Sequence, residues 1–172
     1  MERDYLLDTT ILSAFGQLKR GGDSPQHTLL AKNLDLRKDR RIFLCPIPVG
    51  EIQRGVLLAP TGKIITDINE LLKSFTAVLP INSAVAKDCY AELYARLFKN
   101  YLITNSRKGS GKKRMKEQLD DVATFEMHVQ ENDLWLAAIA MSYKLILVTA
   151  DRMERIKAVS GEDIVFENWL VP

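Results

Sequence analysis

Four acidic residues stand where the chain passes from one regular element to another, and carboxylates so placed can do chemistry that surface acids cannot. Asp8 follows the apolar run Tyr5-Leu6-Leu7, and Asp151 follows the run from Leu145 to Val148. Asp133 opens the apolar segment that begins at Leu134, and Glu51 lies among Val49, Ile52 and Val56. Two carboxylates about 4 Å apart repel by roughly 4 kcal/mol at an effective dielectric near 20. If all four share one end of a sheet, they must take up protons, spread apart or bind a cation. An all-oxygen site suits Mg2+ or Mn2+ rather than zinc. Mg2+ keeps several waters and accepts phosphate oxygens, which points to phosphodiester hydrolysis by a metal-activated water. On these residues alone a plainer reading stays open, with Asp133 a helix cap, Glu51 a surface charge, and Asp8 and Asp151 turn acids.

The elements that must position these acids read as strands alternating with helices. Residues 4–7 form a short strand, after which Ile11, Leu12, Phe15 and Leu18 recur at helical spacing. Ser24 is an N-cap and Pro25 the first residue of a helix reaching about Leu36. Residues 42–45 make a short strand or a buried link, ended by Pro46 and Pro48. A helix is expected from Pro48, burying Val49, Ile52 and Val56, with Glu51 in its first turn. Ile65, Ile68, Leu72 and Phe75 mark another helix, and residues 77–79 a strand. Asn82 or Ser83 caps a helix whose Ala86, Tyr90, Leu93, Leu97 and Tyr101 share one face. Leu134 to Met141 is apolar at every position, a buried helix, and residues 145–148 form a buried strand. A short helix and a last strand over 164–166 complete the chain. The fold class is a three-layer α/β/α sandwich with a mainly parallel central sheet and helical crossovers. Ligands of such sheets gather outside the carboxyl ends of the strands, where Asp8 and Asp151 fall.

With 172 residues, 47% of them hydrophobic, the chain fits one domain with a substantial core. No apolar run approaches the roughly 18 residues that span a bilayer, and no signal-peptide pattern opens the sequence, so a cytoplasmic protein without membrane contact is expected. The 24 basic residues nearly balance 22 acidic ones, so the sum says little about a polyanionic partner. The distribution says more: basic residues cluster over 37–41 and again from Arg107 to Lys116. The second cluster holds Arg107, Lys108, Lys112, Lys113, Arg114 and Lys116, and it overlaps a Gly- and Ser-rich loop over 104–113 that precedes a polar helix over about 113–129. It can neutralise phosphates, although a charge run is more often a solvated face. Cys45 and Cys89 lie far apart in apolar settings and read as buried free thiols. His27 and His128 lack a spaced partner for metal or general-base work. Trp135 and Trp169 read as core residues before base-stacking ones.

Four stretches carry a family resemblance: Tyr5-Leu6-Leu7-Asp8-Thr9-Thr10-Ile11-Leu12, Glu51-Ile52-Gln53-Arg54-Gly55, Asn132-Asp133-Leu134-Trp135-Leu136-Ala137-Ala138 and Leu147-Val148-Thr149-Ala150-Asp151. In this order they resemble the motifs of PIN-domain ribonucleases, and within them the VapC-type toxins of bacterial toxin–antitoxin pairs. The resemblance spans nearly the whole chain. It implies an α/β/α fold, Mg2+- or Mn2+-dependent endoribonuclease activity on RNA, a homodimer, and a cognate antitoxin that covers the acidic cleft. Carried over, Asp8, Glu51, Asp133 and Asp151 take the catalytic acidic positions. Asp8 with Asp133 or Asp151 would ligate metal directly, and Glu51 would position water or a second ion. Thr149, Thr9 and Asn132 take supporting positions. Three departures stand out. Thr10 occupies a place where the family often has Asn, Tyr143-Lys144 one where Gly commonly precedes a core strand, and the basic segment over about 100–126 is longer than the usual connection. That insertion can hold RNA, contact a partner or lack structure. Two other functions compete: a catalytically silent PIN-like module that binds nucleic acid or protein, and a DNA-directed nuclease.

Overall fold

Leu6 points to one face of the central sheet while Tyr5 and Leu7 point to the other, so three consecutive residues feed two cores. The computed structural model describes residues 3–59, 69–106 and 127–172. Five short strands, β1 (Tyr5–Leu7), β2 (Ile42–Leu44), β3 (Ala77–Val78), β4 (Ile146–Val148) and β5 (Val165–Glu167), pair in parallel in the order β3-β2-β1-β4-β5. The alternation repeats in the neighbours, with Phe43 and Leu147 facing the side of Leu6, and Leu44 and Val148 the side of Leu7. Both faces are apolar because helices cover both, as parallel pairing requires.

One layer holds α1 (Thr9–Lys19) and α2 (Pro25–Leu36), which bury Ile11, Leu12, Phe15 and Leu30 with the C-terminal Trp169. Gly21 takes φ +88 to end the first of these helices, and Ser24 caps the second by accepting the His27 N–H. The opposite layer is built around α5 (Glu131–Ser142), whose Leu134, Leu136, Ala137, Ala138, Ile139 and Ala140 are all buried. Against it pack α4 (Ala91–Ser106) and a π-helical turn Val85–Tyr90 before it, and α6 (Glu154–Ser160) packs in turn on α4. The remaining helix, α3 (Pro46–Leu58), packs on α1 and α5.

Several expected boundaries shift. The helix expected from Pro48 starts at Pro46, because proline is tolerated throughout a first turn, whose N–H groups have no intrahelical partner. Glu51 therefore lies beyond the first turn. The helix expected from Asp133 starts at Glu131, with Leu134 N–H donating to Gln130 O, so Asp133 is its third residue and not its cap. The face expected at Ala86 and Tyr90 is rotated, and Val85 and Cys89 are the fully buried pair leading to Leu93 and Leu97, since the π turn widens the repeat. Lys144 supplies by itself, at φ +55, the left-handed turn where a glycine was expected. Helix α4 continues through residues 104–106, the start of the expected loop. The basic residues Arg107, Lys108, Lys112, Lys113 and Arg114 lie outside the described residues.

Candidate active site

The chain runs from β1 outward to β2 and β3, then crosses back to place β4 on the other side of β1. That reversal makes β1/β4 the topological switch point, where a crevice opens beyond the carboxyl ends of the strands. Asp8 and Asp151 follow those two strands, and the first turns of α5 and the early part of α3 bring Asp133 and Glu51 to the same end.

Asp8 is buried, 3% exposed, and is held from three sides. Its Oδ1 accepts the Thr9 N–H at 2.5 Å as the N-cap of α1. Its Oδ2 accepts the Thr149 hydroxyl at 2.7 Å and the Thr10 hydroxyl at 3.1 Å. Those hydroxyls are fixed in turn, because Thr149 Oγ1 accepts the Asp151 N–H at 3.0 Å and Thr10 Oγ1 accepts the Ala150 N–H at 3.2 Å. The segment after β4 is thus tied to the segment after β1 by side chains from both. Burial pushes the Asp8 carboxyl above its usual range; the Thr149 and Thr9 donors pull it back, and Asp151 pushes it up again.

Glu51 is held by Thr9 and Asn132. The Thr9 hydroxyl donates to Oε2, and Asn132 Nδ2 donates to Oε1 at 2.6 Å. Asn132, in the first turn of α5, thereby joins α5 to α3. Asp133 and Asp151 line one side of a cleft of about 400 Å3. Among the described residues no hydrogen bond or ion pair reaches either carboxylate. Asp133 is pushed up to about 6, first by burial and then by the charges of Asp8, Asp151 and Glu51. The four acids therefore feel one another, although among the described residues no three acidic, histidine or cysteine side chains stand together as a closed cation cage. Cys45, the residue before α3, has its thiol pushed up to about 12 by burial, with Asp8 and Glu51 adding to the rise.

The donor set fits a hard divalent cation: it is all oxygen, with two carboxylates, Asp133 and Asp151, open to a cleft. An ion that keeps several waters needs only one or two protein carboxylates, so a closed cage is not required. Thr10 was the supporting residue that sequence reasoning did not single out, and its signal was the Asp-Thr-Thr run at the end of a strand. His27 is occupied structurally, its ring accepting the Ser24 N–H and pairing with Gln17. Trp135 is half-buried and stacks on Tyr90, ring centroids 3.9 Å apart, while Trp169 is buried edge-on to Tyr5.

A parallel five-stranded sheet with acids gathered at its switch point defines the class, and the sequence supplies the family. Residues 5–161 match the PIN domain, and the chain belongs to the PIN domain family. Its fold is also similar to solved structures of toxin–antitoxin complexes. A chain of VapBC2 from Rickettsia felis, bound to a DNA fragment from its promoter, matches at TM-score 0.63 and 21% identity, covering 96% of this chain and 98% of that one. A chain of DNA-bound VapBC from Salmonella typhimurium matches at 0.64 and 17%, covering 98% and 99%. VapBC-5 from Mycobacterium tuberculosis matches at 0.54 and 20%, covering 99% and 100%. Among curated proteins none matches the sequence.

Proposed function

We propose that the protein is a metal-dependent endoribonuclease that hydrolyses RNA phosphodiester bonds as the toxin of a toxin–antitoxin pair. The observation that carries this reading is the convergence of Asp8, Glu51, Asp133 and Asp151 from four separate segments on one end of the sheet, where Asp133 is raised first by burial and then by the charges of the other three. Family membership and the fold shared with VapBC complexes support it. A cognate antitoxin is the partner this reading requires, and a homodimer is the assembly the resemblance implies.

Asp8 with Asp133 or Asp151 would hold Mg2+ or Mn2+, which when bound lowers the pKa of a coordinated water and neutralises charge developing on the phosphate. The chain's own residues do the rest. Thr149 and Thr10 fix the orientation of the Asp8 carboxylate. Glu51, held by Thr9 and Asn132, stands as a second carboxylate layer able to accept a proton from attacking water. Asp133, pushed up to about 6 first by burial, would offer its carboxylate to that cation at neutral pH.

The test is cleavage of total RNA, single-stranded DNA and duplex DNA by purified protein with Mg2+ or Mn2+, beside an EDTA control. Metal-dependent cutting of RNA in preference to both DNAs is expected. Preferential cutting of DNA would overturn the RNA assignment, and no cutting of any substrate would leave a binding module.

A further inference from the structure

Among the described residues, two clefts flank the acidic centre, and their chemistry differs. One, of about 320 Å3 between α1 and α3, is walled by Leu12, Ile52, Val56 and Leu71 with Thr9 and Glu51 at its end. Among the described residues its single cation is Arg20, which lies back along α1, near Gly16. The other, of about 400 Å3, runs from Asp133 and Asp151 past His128 and Gln130 to Arg152 and Arg155.

These two arginines are unlike the engaged arginines elsewhere. Arg37 is paired with Glu167, Arg41 with Asp4 and Arg96 with Asp163, each at 3.0 Å or less. Arg152 has a side chain 90% exposed and reaches only Glu154, itself exposed, at 4.0 Å, a pairing that holds little. Arg155 is exposed and makes no hydrogen bond or ion pair among the described residues. The backbone nonetheless places both deliberately. Met153, between them, is buried against the core with Ile156 and takes φ +44, and His128 across the cleft takes φ +56. Left-handed backbone at residues other than glycine persists only where the surroundings over-determine it. Met153 is thus an anchor that sends Arg152 and Arg155 out on either side of it.

A nucleic-acid strand presented to carboxylates needs cations beyond them, because its own phosphates are repelled by Asp133, Asp151 and Glu154. Among the described residues lining this cleft only Arg152 and Arg155 are obligatorily cationic, and the guanidinium fork matches a phosphodiester. We propose that Arg152 and Arg155 form the phosphate-binding bank for two successive phosphates next to the bond cleaved. The RNA strand then crosses the acidic centre through the α6 cleft, not along the apolar α1/α3 cleft. This inference rests on the nuclease reading.

The experiment measures anisotropy of a labelled single-stranded RNA across a salt series, in an Asp8→Asn background that binds without cutting. With Arg152→Gln/Arg155→Gln added, affinity should fall about tenfold or more, and the slope of log affinity against log salt should flatten by roughly 1.4, as two lost phosphate contacts dictate. The pair Lys32→Gln/Lys38→Gln, exposed residues of α2 and the turn after it, removes the same charge and should leave both nearly unchanged. In the otherwise wild-type enzyme the arginine pair should raise KM and leave kcat within about threefold, the signature of uniform binding. An unchanged slope and KM, while the wild type still cuts RNA, would overturn the arginine assignment alone. A wild type that neither binds nor cuts RNA would remove the nuclease reading and this inference with it.

Discussion

Thr149 Oγ1 donates to Asp8 Oδ2 across 2.7 Å, joining the carboxyl ends of two neighbouring parallel strands through one buried carboxylate. The same hydroxyl accepts the Asp151 N–H, so a single threonine orients the acids that follow β1 and β4. This is a hydrogen bond to an ionised group in a dry setting, the kind that contributes most.

Thr149→Val keeps the shape and removes the donor. It should destabilise the fold by about 1.5–3 kcal/mol, because Asp8 is left buried with fewer donors. Urea unfolding at pH 7 measures this, and a change within about 0.5 kcal/mol would show that Asp8 does not depend on the threonine.

Asp133 gives a pH dependence with a definite sign. Its carboxyl rises from 3.8 in the unfolded chain to about 6 in the fold, so the folded state holds its proton more tightly. That contribution favours folding fully below pH 3.8 and is lost as pH climbs through about 6. Asp133→Asn removes the penalty. After allowance for partial exposure, the variant should be more stable than wild type by about 1–2 kcal/mol at pH 7.5 and no more stable near pH 3.5. Metal-free denaturation at both pH values checks this, and an equal effect at the two would contradict it.

Divalent metal should reverse that order. At a hundredfold excess over its Kd, a site that exists only in the folded state gains about 2.7 kcal/mol. Mn2+ should raise the Tm of the wild type and leave Asp8→Asn and Asp133→Asn nearly unmoved. Equal shifts in all three would place the bound ion elsewhere.

Lys144 holds φ +55 in the turn between α5 and β4, a conformation that costs an L-residue about 1–2 kcal/mol. Lys144→Gly removes that cost at the expense of greater freedom in the unfolded chain. The balance should be a gain of up to about 1 kcal/mol, read in the same unfolding assay. A loss would mean that the lysine side chain stabilises the turn.

The sheet and the places of Asp8 and Asp151 were legible because apolar runs end abruptly at both acids, and Ser24-Pro25 announced the start of α2 unambiguously. Helix starts were less legible. Pro46 and Pro48 suit a first turn as well as a barrier to one, and that ambiguity moved Glu51 along its helix. The π turn over Val85–Tyr90 is invisible to a search at 3.6-residue spacing, and it brings Tyr90 onto Trp135. The bond from Asn132 to Glu51 joins residues far apart in sequence, so no local pattern encodes it. Thr10 could be noticed only as a departure from a family pattern, whereas the fold gives it two partners at the site.

The central claim is that the converging carboxylates form one catalytic metal site. Its most direct test is the initial rate of Mn2+-dependent cleavage of a single-stranded RNA by wild type and Asp133→Asn, compared at equal folded fraction. Because Asp133→Asn should be at least as stable as wild type at neutral pH, misfolding cannot account for a loss. The account predicts a fall of at least about 100-fold, beyond what loss of an outer-shell partner produces. Retention of wild-type rate by the variant, or a wild-type rate indifferent to EDTA, would contradict it.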